Sequence, residues 1–282
     1  MQRKIEVFRL MIINKIHAVY FSPTGSTKTI INALANDLSN LLHVEIEYTN
    51  LTILANRKKF YSFDSNSLVL LATPVYAGRI PNKLLPDLEK CIHGNNTPVI
   101  PIYVYGNRNY DESLRELLLL SENAGFIPVG ASAMISQHAF SNILAKGRPD
   151  SEDLQKLSEF SKMISSKLQN DESPVAINYD RTTPIAPYYT PLKTDLTPAR
   201  FLKAKPVTDI EKCNGCGICV KKCPMNSISA NNVSEVSGIC IKCQACIRYC
   251  PTHAKYFTDK DFLSHIEMLE ATYNIPREPE FY

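Results

Sequence analysis

Two kinds of apolar pattern alternate over the first 170 positions. Continuous apolar runs at 16–22, 67–73, 98–104 and 126–135, with a shorter one at 44–48, predict buried parallel strands. Between them apolar residues recur at helical spacing, as at positions 30, 31, 34, 38, 41 and 42 of the stretch 26–42. Further helices are predicted at 81–92, with Pro81 near its start, and at 111–124, stopped by Gly125 in a left-handed cap. Another is predicted at 151–168, opened by Ser151, Glu152 and Asp153. Strands alternating with helices imply right-handed βαβ units. The expected fold is α/β, a doubly wound five-stranded parallel sheet of order 2-1-3-4-5.

The pattern breaks from 171 to 206, where Pro174, Pro184, Pro187, Pro191, Pro198 and Pro206 mark an extended surface connector. Beyond it lies a short cysteine-rich stretch, then a closing helix at 259–271 and an irregular tail, NIPREPEFY. The expected organisation is one domain over 1–170, a connector over 171–205, a small second domain over 206–258, and a helix and tail over 259–282. Residues 1–10 form an extension before the first strand, with no role legible in the sequence.

Charge adds little. The net charge is +3, with 18 basic against 15 acidic residues in 1–170, 5 against 4 in 171–205, and 8 against 9 in 206–282. No block is basic enough to call for a nucleic-acid partner. No apolar run approaches the roughly 18 residues of a membrane span. The basic start lacks an uninterrupted apolar stretch and a small-residue cleavage site, so no signal peptide is expected and the location is read as cytoplasmic.

Cysteine placement changes the picture most. Eight of the nine cysteines lie between 213 and 250. Cys213, Cys216, Cys219, Cys223 and Pro224 recur 27 residues later as Cys240, Cys243, Cys246, Cys250 and Pro251. Each half reads C-x2-C-x2-C-x3-C-P, the spacing of bacterial ferredoxins. Three thiolates two residues apart curl round one face of a cubane, and the fourth crosses to the other cluster. The expected sets are Cys213, Cys216, Cys219 and Cys250 for one [4Fe–4S] cluster, and Cys240, Cys243, Cys246 and Cys223 for the second. Gly215 and Gly217 are expected to relieve crowding near sulfur. Ile210, Ile218, Ile228, Ile239, Ile241, Ile247 and Tyr256 are expected to pack round the clusters, which stand in for a core. Two zinc sites are the competing reading, disfavoured because zinc ligand pairs are usually separated by long spacers. Cys91, alone near a helix end, reads as a buried inert thiol.

A second constellation follows the first strand. Ser22, Thr24, Gly25, Ser26 and Thr27 precede a helix whose N-terminus offers unpaired N–H groups and a positive dipole. This is a phosphate cradle without a cation, and it matches neither the Walker pattern nor G-x-G-x-x-G. Simple helix capping is the alternative. Two more loops leave the carboxyl edge beside it, Pro74-Val75-Tyr76-Ala77-Gly78 and Tyr105-Gly106-Asn107-Arg108-Asn109-Tyr110. Gly78 and Gly106 would let backbone approach a flat ring, and Tyr76, Tyr105 or Tyr110 would stack on it. His138, after strand five, is read as a packed or surface histidine near that edge.

Over roughly residues 16–168 these loops resemble flavodoxin. The whole chain resembles the fused flavodoxin-like/ferredoxin proteins of anaerobic microbes. The resemblance implies one FMN, held by Ser22, Thr24, Gly25, Ser26, Thr27, Pro74, Val75, Tyr76, Ala77, Gly78, Tyr105, Gly106, Asn107 and Tyr110. It also implies a small α+β domain with two [4Fe–4S] clusters, and redox partner proteins. The expected function is electron transfer with no catalytic residues beyond the cofactors. The alternatives are an FMN-dependent reductase of a small acceptor such as a quinone or nitro compound, and an iron–sulfur redox sensor.

Overall fold

The computed structural model describes residues 12–170 and 174–282. The extension read at 1–10 lies outside the described residues. The first half builds in the order β1 (Lys15–Tyr20), α1 (Ser26–Leu42), β2 (Glu45–Asn50), β3 (Tyr61–Phe63), β4 (Ser67–Pro74), α2 (Leu85–Cys91) and β5 (Ile92–Gly94). It continues with β6 (Thr97–Tyr105), α3 (Ser113–Asn123), β7 (Phe126–Pro128), β8 (Ser132–Ile135) and α4 (Ser151–Asn170). The second half holds β9 (Val207–Thr208), α5 (Ile218–Lys222), α6 (Ala245–Arg248), β10 (Lys255–Tyr256), α7 (Lys260–Thr272) and β11 (Glu280–Phe281).

The main sheet runs β11-β8-β6-β4-β1-β2. Its five parallel strands, taken in chain order as β1, β2, β4, β6 and β8, therefore lie 2-1-3-4-5, the flavodoxin-like order. β4 and β6 sit in the middle and are buried on both faces, which is why they read as unbroken apolar runs. α1 and α4 pack on one face through Ile30, Ile31, Leu34 and Leu38 against Leu157, Phe160 and Ile164. α2 and α3 cover the other through Leu88, Leu114, Leu117 and Leu118.

Three expectations are corrected. The predicted fifth strand is two strands, β7 and β8. β7 pairs with Thr97–Val99 and β8 with Ile102–Tyr105, so three residues, 129–131, face only Ile100 and Pro101. Pro101 has no N–H to donate, and the neighbouring strand breaks opposite it. The helix predicted over 81–92 is shorter, Leu85–Cys91, and Ile92–Gly94 leaves it as a strand paired in parallel with β3. The tail is not wholly irregular, because Glu280 and Phe281 pair antiparallel with Ala133 and Ser132. Tyr282 exchanges both backbone hydrogen bonds with Ala131 beside the strand break. The chain end thus covers a sheet edge that would otherwise present open N–H and C=O groups.

The connector's first part, up to Tyr189, is fastened to the first half, and its later part to α7 and the cysteine-rich segment. Arg115 donates to the carbonyls of Thr183 and Pro184, and Arg79 to that of Ala186. The Tyr189 N–H bonds Ala77 O at 2.9 Å. Two arginines then join the halves. Arg248, ending α6, donates to the carbonyls of His138, Ala139 and Ser141 and to Asn142 Oδ1. Arg57, 2% exposed, bonds Pro224 O and pairs with Asp87 at 3.2 Å.

Arg57→Ala leaves Asp87 and a carbonyl without their buried cation, and we expect it to lower unfolding stability by about 3 kcal/mol. Lys58 pairs with the same Asp87 from an exposed position. Lys58→Ala should therefore cost no more than about 0.5 kcal/mol. Denaturant titration of the two variants side by side checks the contrast, and equal losses would remove Arg57's role as an inter-half clamp.

Candidate functional site

The 27-residue repeat is written into the backbone as well as the cysteines. Gly215 and Lys242, Gly217 and Gln244, and Asn226 and His253 are equivalent pairs, and all six have positive φ, between 49° and 70°. α5 and α6 begin at equivalent positions. The N–H of Ser227 points at Cys223 Sγ at 3.3 Å, and its counterpart Ala254 N–H at Cys250 Sγ at 3.2 Å. N–H donors aimed at sulfur stabilise thiolates that hold a cluster. Gly215 and Gly217 hold φ of 70° and 69°, and a Cβ on either would meet no protein atom within 4 Å, so within the protein the glycines serve a left-handed turn. The second repeat makes the same turns with Lys242 and Gln244, at a conformational cost.

Cys223, Cys240, Cys243 and Cys246 line one small cavity together with Pro224, Ile228 and Phe257. This grouping matches the set in which Cys223 crosses between the two motifs. Among the described residues no three His, Cys, Asp or Glu side chains converge on a single-ion site. Burial pushes the Cys243 and Cys240 thiols up, and Cys246 to about 12, so a bound cluster would have to supply the charge that keeps them as thiolates. Cys250 moves the other way: burial would raise it, but hydrogen bonds from Thr252, Ala254 and Lys255 outweigh that. Cys216 lies exposed. Of the residues expected to wrap the clusters, Ile228 is buried, while Ile210, Ile239 and Tyr256 are exposed at 67%, 55% and 45%. Fifty residues cannot cover every side of two clusters. Cys91 is buried, and burial with the nearby Asp87 pushes its thiol to about 11.

A larger cavity, about 490 Å³, opens at the carboxyl edge of the main sheet. Pro23, Thr24, Ser26 and Thr27 line one end, Pro74 to Gly78 one side, and Tyr105, Gly106, Arg108 and Asn109 another. In the loop before α1, Gly25 takes φ 101° at the N-cap and supplies no side-chain oxygen. Ser22 Oγ accepts the N–H of Lys28 at 3.0 Å. Among the described residues, the N–H groups of Thr24, Gly25, Ser26 and Thr27 meet no protein acceptor. The first turn of α1 also carries no acidic residue. A row of unmet N–H groups ahead of a 17-residue helix suits a phosphate group.

The ring loops divide. Tyr76 and Tyr105 line the cavity, and burial followed by the neighbouring Cys243 and Cys240 raises the Tyr76 phenol well above its usual range. Asn107 and Tyr110 are not brought to the lining. The Asn107 amide bonds Tyr273 O, Ile275 O and the Arg277 N–H, and the Tyr110 hydroxyl bonds Glu280 and Tyr282. Both hold the C-terminal tail. Gly78 and Gly106 are also required by the protein itself: a Cβ there would stand 2.1 Å from Asp111 Oδ2 and 2.5 Å from His138 Cδ2.

The sequence did not point to the rest of the lining. Tyr188 and Tyr189 of the connector, Phe201 and Leu202, His265 and Leu269 of α7, and the run Ile239–Cys243 all face the same cavity. The only sequence signal for them was the aromatic pair inside an otherwise proline-punctuated connector.

Residues 206–229 and 237–255 each match the 4Fe-4S binding domain family. A curated relative, NAD(P)H-quinone oxidoreductase subunit I of Gloeobacter violaceus, is 27% identical over 113 residues. That match takes in 36% of this chain and 53% of that protein, so the chain spans about half of its relative's length. Among solved structures, a flavodoxin from the domain Archaea aligns at 15% identity over 55% of this chain and 99% of its own, with a TM-score of 0.38. A short-chain flavodoxin associated with a non-canonical PDU bacterial microcompartment aligns at 17% identity over the same shares, with a TM-score of 0.39.

The chain places two segments that match the 4Fe-4S binding domain family after a parallel sheet of flavodoxin-like order. These matches support an electron-transfer or oxidoreductase role for the iron–sulfur segment. No helix among the chain's described residues is long and apolar enough to cross a membrane.

Proposed function

We propose that this chain is an intracellular, cytoplasmic electron-transfer protein that holds one FMN and two [4Fe–4S] clusters and passes electrons between redox partner proteins. In this reading residues 1–170 form the FMN domain, 206–258 the cluster domain, and 171–205 the strap between them. The phosphate sits on Thr24 to Thr27, and the ring lies between the Pro74–Gly78 and Tyr105–Gly106 turns. Cys213, Cys216, Cys219 and Cys250 hold one cluster, and Cys240, Cys243, Cys246 and Cys223 the other. When bound, FMN exchanges two electrons singly and each cluster exchanges one.

One observation carries the reading. Cys240 and Cys243 line both the small four-cysteine cavity and the 490 Å³ cavity. The two cofactor sites share a wall, which is what internal transfer needs. Around that wall the chain's residues exclude water and fix orientation. Arg248 and Arg57 hold the halves in register, and Tyr76 fills the space beside the two cysteines.

A second reading, an FMN-dependent reductase of a small acceptor such as a quinone, gains from the roof of Tyr188, Phe201 and Leu202 over the cavity. A covered ring is reached more easily by a small molecule than by a protein. Anaerobic purification with iron, sulfide and flavin counts tests the cofactors. Roughly eight iron and one FMN per chain are expected; zinc, or protein without flavin, would overturn the reading. Saturable turnover of quinones by the loaded protein would move the assignment from carrier to reductase.

A further inference from the structure

Three polar groups that face the large cavity have no hydrogen-bond partner among the described residues, and they come from three distant stretches of chain. The Tyr189 hydroxyl is buried and unbonded among the described residues. His138, after β8, accepts the Phe140 N–H on Nδ1 at 3.1 Å, which places its proton on Nε2. His265, on α7, faces the Leu192 carbonyl with Nδ1 at 2.8 Å. A carbonyl only accepts, so Nδ1 carries the proton there and Nε2 is an acceptor. No protein group among the described residues meets either Nε2. All three side chains line the cavity, and the rings of Tyr189 and His265 lie 6.4 Å apart.

Burial lowers both histidines, His138 to about 3 with help from the His265 and Arg108 charges. At neutral pH each is uncharged, with one donor and one acceptor. His138 thus presents a donor and His265 an acceptor, and the Tyr189 hydroxyl can supply a second donor, all neutral. Leaving the buried Tyr189 hydroxyl unpaired is costly. The complement of the three groups is a planar edge with two carbonyls flanking one N–H. The pyrimidine edge of a flavin ring has that chemistry. A quinone offers acceptors alone and would leave His265 unmatched.

We infer that Tyr189, His138 and His265 grip the carbonyl–NH–carbonyl edge of the flavin ring, so that the connector and the C-terminal helix complete a site begun by the sheet loops. This rests on the FMN reading above and adds to it residues from outside the flavodoxin-like sheet. It also makes the ring's recognition a matter of side chains delivered by the rest of the chain.

The test uses the full-length, cluster-loaded protein stripped of flavin and titrated anaerobically with FMN and with N3-methyl-FMN, which lacks the central donor. Y189F removes the hydroxyl. H138N keeps an acceptor for the Phe140 N–H but loses the Nε2 donor. H265N keeps a donor for Leu192 O but loses the Nε2 acceptor. Each variant should weaken FMN binding about three- to tenfold. Wild type should prefer FMN over the methylated flavin by a similar factor, and that preference should vanish in H265N. Wild-type affinity in all three variants, or a wild type that does not distinguish the two flavins, overturns the inference while leaving FMN binding intact. A wild type that binds neither flavin overturns the FMN reading itself. Should a variant lose its iron, the two-flavin comparison on wild type still decides.

Discussion

Cys243→Ala should cost the protein about half of its iron and most of its flavin together, whereas Cys216→Ala should cost a similar share of iron and leave flavin in place. The asymmetry comes from position. Cys243 lines both cavities, so losing its cluster also collapses a wall of the larger one, because ligand binding and local folding are coupled at such sites. Cys216 lies exposed in the other set and touches neither cavity lining. Iron, acid-labile sulfide and released flavin, counted per chain after parallel anaerobic purifications, give the comparison directly. Equal flavin in the two variants would separate the cofactor sites and remove the shared wall from the account.

Gly25→Val should weaken FMN binding at least tenfold while leaving the clusters assembled. Gly25 holds φ 101° at the start of α1. A β-branched residue reaches that conformation only at a cost of about 1–3 kcal/mol. Its Cβ would also lie 3.1 Å from the Tyr249 hydroxyl of the cluster-bearing half. The loop would relieve both strains by turning, and its N–H groups would no longer converge. Riboflavin serves as the control. It has no phosphate, so its affinity should change far less than that of FMN. A parallel loss for both flavins would mean that the loop shapes the ring site and not a phosphate cradle.

Much of this architecture was legible along the chain because it is local. The period of the apolar residues follows from strand and helix geometry, so β1, β4 and β6 and the helices α1 and α4 stand close to where the pattern put them. Cysteine spacing is more constraining still. Two residues between thiolates admit few loop shapes, and the repeat carried its three left-handed positions with it, through Gly215, Gly217 and Asn226 in one half and through Lys242, Gln244 and His253 in the other.

What stayed hidden depends on meetings between distant segments. Asn107 and Tyr110 looked like ring contacts, but only the folded chain shows the C-terminal tail arriving to occupy them. The break in the fifth strand needed the knowledge that Pro101 would stand beside it. The connector's prolines announced an extended strap without saying that Tyr188 and Tyr189 would face the cavity.

The sequence by itself determined the iron–sulfur segment and the candidate phosphate loop, since thiolate spacing and a glycine-bearing loop before a helix are properties of adjacent residues. Only the tertiary structure decided that the small four-cysteine cavity and the large cavity share a wall, and that Tyr189, His138 and His265 line the large one. The physical reason is that such contacts arise from packing and from buried hydrogen-bonding groups seeking partners across more than a hundred residues of chain, and no local pattern encodes where those partners will be.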